Sequence, residues 1–156
     1  MIHELEKLPP TEVEQIFKSP LLVCILIAGA DDDIDRKEIR KAIQIAQGKQ
    51  KKNNSRLVKF FQLIAEDFED KLKVVMQSFP NKARDRNPLI VKELQQLNQI
   101  LPKIDPSIAS EFYKSLLEIS HAVAKSSGGL LGMQSVGEEE AKYISLPMIQ
   151  APSVNA

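Results

Sequence analysis

The stretch Leu21-Leu22-Val23-Cys24-Ile25-Leu26-Ile27-Ala28-Gly29-Ala30 runs directly into Asp31-Asp32-Asp33-Ile34-Asp35-Arg36-Lys37-Glu38. An apolar run of this kind is stable only when it is buried, and its length suits a core helix. The charged residues that follow it, from Asp31 to Glu38, indicate that the chain leaves the core at this point and reaches the surface. We therefore predict a central buried helix that ends at one rim of the fold and presents carboxylates there.

The remainder of the chain predicts an all-α fold. Apolar residues recur every three or four positions, and no segment shows the sustained alternation of a half-buried strand. One such stripe, from Leu57 to Val75, predicts a single long helix. We expect a compact single-domain bundle of about seven helices over residues 1–146, followed by an irregular tail over residues 147–156.

Helix starts are predicted from side-chain caps and from prolines in a first turn. The predicted starts are Thr11, Pro20, Asp35, Ser55, Asn87-Pro88, Asp105-Pro106 and Gly137.

Composition limits the function. The 156 residues include 21 basic and 21 acidic side chains, and this balance argues against a nucleic-acid or anionic-membrane surface. The single cysteine, Cys24, allows no intrachain disulfide and fits a reducing compartment. The longest apolar run covers about half of a membrane span, and residues 1–7 do not resemble a signal peptide. We expect a cytoplasmic protein without direct membrane insertion.

The acidic turn is the strongest candidate site. Its carboxylates crowd a few positions of the chain, and hard divalent cations bind to several oxygen ligands. A standard EF-hand is excluded, because a loop that starts at Asp31 has Arg36 where glycine is required and Ala42 where the bidentate glutamate belongs. The alternative is that Asp35 and Glu38 only cap a helix and that the remaining aspartates form a solvated turn.

A second stretch of the sequence repeats the pattern of the first, in which an acidic turn follows an apolar helix. Ser126-Ser127-Gly128 follows another apolar helix, and Val136-Gly137-Glu138-Glu139-Glu140 corresponds to residues 34–38 after an insertion. This weak internal duplication predicts that both turns lie at one end of the bundle.

These two stretches carry a family resemblance. The segment Ala28 to Glu38 resembles the Ala-Asp-Gly-x-Ile-Asp-x-x-Glu signature of the TerB-like tellurite-resistance proteins. The segment Val123 to Gly132, together with Val136 to Glu140, is similar to the second signature of that family. The resemblance extends over most of the chain, from about Pro20 to Leu146.

The resemblance implies a bacterial all-α module of about seven helices with an acidic metal-binding surface. It also implies a role in tellurite resistance or a related stress response, beside membrane-associated partner proteins. By position, the implied metal ligands are Asp31, Asp35, Glu38 and Glu140. The chain departs from the family where Asp32 replaces a glycine and where Ser127 and Gly137 replace ligands in the second stretch.

Two functions follow as hypotheses. The first is a non-enzymatic module that binds a divalent ion such as calcium, magnesium, manganese or zinc. The second is a metal-independent adaptor that docks a partner through the apolar residues 130–136 or through its tail. Catalysis has little support, because Cys24 lies among aliphatic residues and no serine has a recognisable base partner. His121 is expected to be a core or rim residue of a buried helix.

Overall fold

The computed structural model describes residues 2–28, 39–40, 43–44, 48, 57–128 and 142–152. Within these ranges the chain is helical with turns and contains no strand, which confirms the all-α prediction. Five helices of eight residues or more are described, with shorter helical turns beside them. The helices are α1 (Ile2–Leu5), α2 (Pro10–Ala28), α3 (Val58–Ala65), α4 (Phe68–Gln77), α5 (Ala83–Gln95), α6 (Leu97–Ile100) and α7 (Pro106–Gly128), with a 3₁₀ turn at Leu101–Lys103.

Helix α2 is the centre of the fold, as the apolar run predicts. All of its residues from Ser19 to Ala28 are buried, and α4, α5, α6 and α7 pack against it. A helix can be apolar on all sides only when other elements cover every side of it.

The predicted boundary inside α2 is wrong. We expected one helix to start at Thr11 and another at Pro20, whereas a single helix begins at Pro10 and continues through Pro20. Proline inside a helix costs about 3 kcal/mol, because it removes a backbone donor and clashes with the preceding turn. Burying a single leucine or isoleucine contributes about 1.5–3 kcal/mol. The many apolar side chains that α2 buries beyond Pro20 therefore outweigh this local penalty.

The long helix predicted from Ser55 is also wrong. The chain forms two helices, α3 and α4, which are separated at Glu66 and Asp67. Asp67 has the left-handed backbone angles φ 51° and ψ 35°. Aspartate adopts this conformation more readily than most residues. The predicted apolar stripe nevertheless reaches the core on both sides of the break: Leu57, Phe60, Phe61, Ile64, Phe68 and Leu72 are all buried.

Helix α5 starts earlier than Asn87-Pro88, the predicted start. It begins at Ala83, so residues 83–86 form its first turn, and Pro88 lies in its interior. Because Pro88 has no N–H, the carbonyl oxygen of Arg84 lacks its usual hydrogen bond within the helix. Both residues are exposed, so water can donate to that oxygen instead. Arg86 is buried and donates from Nη1 to the carbonyl oxygen of Asn81, at 2.8 Å.

The start of α7 confirms the prediction at Asp105-Pro106. Asp105 Oδ1 accepts hydrogen bonds from the backbone N–H of Ser107 at 2.8 Å and of Ile108 at 3.4 Å. Side-chain acceptors at this position satisfy donors that have no partner within the helix. Helix α7 extends to Gly128, beyond the predicted end near Lys125.

Other predicted elements are described only in part. The helix predicted from Asp35 is represented by residues 39, 40, 43, 44 and 48, which are helical, with Ile39 and Ile43 buried. The loop at 130–136 and the helix start at Gly137 lie outside the described residues. Residues 142–152 form turns without a helix, and Leu146, Met148 and Ile149 are buried.

Candidate functional site

The two longest helices that the structure describes, α2 and α7, pack against each other. Near their starts, Lys103 Nζ lies 2.8 Å from Glu12 Oε2, just before α7 begins. Further along, the ring of Phe60 stacks on Phe17 of α2 at 4.8 Å and meets the edge of Phe112 of α7 at 5.5 Å. The start of α2 therefore lies beside the turn that precedes α7, and the ring of Phe60 touches both helices further along. These contacts fit two helices that run in the same direction.

The four predicted metal ligands lie outside the described residues. Asp31, Asp35 and Glu38 fall in the chain between the end of α2 and the helical residue Ile39. Glu140 falls between the end of α7 and Lys142. The two acidic stretches thus follow two helices that pack against each other.

The last turns of α2 and α7 differ in charge. The carboxyl-terminal end of a helix carries a partial negative charge and favours cations. The last turn of α2 contains no basic side chain, whereas the last turn of α7 contains Lys125. Within the described ranges, no group of three or more histidine, cysteine, aspartate and glutamate side chains is placed to hold a metal ion.

His121 and Cys24 have different surroundings. His121 is exposed on α7, so it does not lie in the core. The helical stripe explains this, because Ile119 and Val123 point into the core on either side of it. Cys24 is fully buried, as predicted, and burial raises the pKa of its thiol far above the ordinary value. A thiol kept protonated in this way is a poor nucleophile.

A polar pocket of about 460 Å³ lies where Arg40, Ile43 and Gln44 face the break between α3 and α4. Arg40 forms an ion pair with Glu69 at its wall, and Asp67 and Asp70 also line it. Both partners of the ion pair are about half exposed, so solvent screens the attraction. Sequence reasoning missed this pocket, because the break at Asp67 was not predicted.

A second concave surface, the C-terminal groove, lies between α6, the start of α7 and residues 150–152. It encloses a cavity of about 360 Å³. Its apolar lining comes from both sides, namely Leu97, Leu101, Ile104, Ala109, Ala151 and Pro152. Asn98 Nδ2 donates to the carbonyl oxygen of Met148 at 3.0 Å, and the backbone N–H of Gln150 donates to Asn98 Oδ1 at 2.7 Å. One side chain thus fixes the C-terminal segment, residues 146–152, in place.

No described helix combines the length and apolar character that a membrane span requires.

Comparison with other proteins gives no assignment for the chain. No family model, no curated protein and no solved structure matches it. The fold class, an all-helical protein, therefore rests on the described helices and their packing.

Proposed function

We propose that this protein is a non-enzymatic TerB-like helical module that binds a divalent cation through Asp31, Asp35, Glu38 and Glu140. In this proposal it acts in bacterial tellurite resistance or a related stress response, in the cytoplasm, beside membrane-associated partner proteins. The bundle of about seven helices and the resemblance described above belong to the same proposal.

The contact between the start of α2 and the turn before α7, together with the Phe60 ring that touches both helices, supports this proposal best, because it fits helices that run in the same direction. Had the helices been antiparallel, the chain would leave them at opposite ends of the molecule, and the two acidic stretches would start far apart. In this proposal the carboxyl-terminal ends of both helices lie on one side, so that a single ion recruits carboxylates from both stretches. Oxygen ligands of this kind suit calcium, magnesium or manganese, and carboxylates also bind zinc.

The electrostatics also support a cation at this end of the fold. Several carboxylates close together repel one another unless a positive charge offsets them. The partial negative charge at the two helix ends adds to that repulsion. A bound divalent ion offsets the repulsion among the carboxylates and the repulsion from the helix ends, so its binding should stabilise the folded chain.

Calorimetric titration with calcium, magnesium, manganese and zinc tests the proposal. We expect saturable binding of at least one ion, with loss of binding in Asp31→Asn and Glu140→Gln chains. A matched control is Asp70→Asn, which removes a carboxylate from the polar pocket and should leave binding unchanged. The same ion should raise the midpoint of thermal unfolding, because a ligand that binds only the folded state stabilises it.

Absence of saturable binding at millimolar metal would refute the cation site. The metal-independent adaptor would then be the better description of the protein. It would be favoured further if an Asp31→Asn, Asp35→Asn, Glu38→Gln chain retained a partner captured by the natural chain.

A further inference from the structure

We draw no further inference here: the strongest candidate, the apolar cavity of the C-terminal groove between α6, the start of α7 and residues 150–152, carries nothing, because nothing in the structure shows what covers or fills it.

Discussion

Replacing Phe60 with leucine should lower the free energy of unfolding by more than the lost apolar area alone accounts for. Phe60 is fully buried, and its ring meets Phe17 at 4.8 Å, Phe61 at 5.1 Å and Phe112 at 5.5 Å. It therefore joins α2, α3 and α7 in one aromatic cluster. Leucine keeps most of the apolar contact but removes all three ring pairs.

The magnitude follows from these contacts. An aromatic pair contributes about 0.5–1.5 kcal/mol beyond its buried area. Three pairs would give about 1.5–4.5 kcal/mol if they were additive, but pairs that share a ring are not independent. We expect Phe60→Leu to lower the free energy of unfolding by about 2–3 kcal/mol. This is a large part of the about 5–15 kcal/mol that stabilises a typical domain.

Urea unfolding followed by far-ultraviolet circular dichroism measures this change. The midpoint should fall while the dependence on urea stays the same, because the substitution alters stability and not the surface exposed on unfolding. Val74→Ala is the matched control, since Val74 is 66% exposed and should change stability by at most about 0.5 kcal/mol. The reasoning fails if Phe60→Leu costs no more than this control.

Three further predictions follow from individual residues. Asp67→Gly should raise the free energy of unfolding by about 0.5 kcal/mol, because glycine adopts φ 51° without strain, whereas Asp67→Val should lower it by about 1 kcal/mol or more; equal urea midpoints for the two variants would contradict this. Asp105→Ala should lower stability by about 1 kcal/mol through loss of the cap on α7, and Asp105→Asn should change it by only a few tenths; thermal unfolding of both variants measures the difference, and an equal loss in both would show that the cap is not responsible. Cys24 should not react with a thiol reagent at pH 8 in the native protein but should react once urea unfolds the chain, because burial raises the pKa of the native thiol; rapid labelling of the native chain would contradict the buried position.

Among the predictions for the fold, those of which side chains are buried agree best with the structure, together with the predicted start of α7. The apolar run from Leu21 predicts a buried helix, because no exposed arrangement of such residues is stable in water. Asp105 and Pro106 predict the start of α7, because a side-chain acceptor and a fixed backbone angle act within one turn. The stripe from Leu57 to Val75 predicts which side chains face the core, even though its helix is broken and Val75 is only partly buried.

For the candidate site as well, the sequence predicted some features and gave no signal for others. The sequence alone supplied the acidic stretches and the ligand candidates Asp31, Asp35, Glu38 and Glu140, which lie outside the described residues and stay a prediction. It contained no signal for the polar pocket at Arg40. It also contained no signal for the two hydrogen bonds that join Asn98 to Met148 and Gln150, because Asn98 is far from both residues along the chain.

What the sequence determined by itself is the all-helical class, the central buried helix and many of the side chains that form the core. Met148 and Ile149, in the predicted irregular tail, also belong to the core. What only the tertiary structure decided is where helices continue and where they break. α2 passes through Pro20, α5 passes through Pro88, and the chain breaks at Asp67 without a proline or glycine. A local preference is worth a few kcal/mol at most, and burial of many apolar side chains against distant parts of the chain exceeds it.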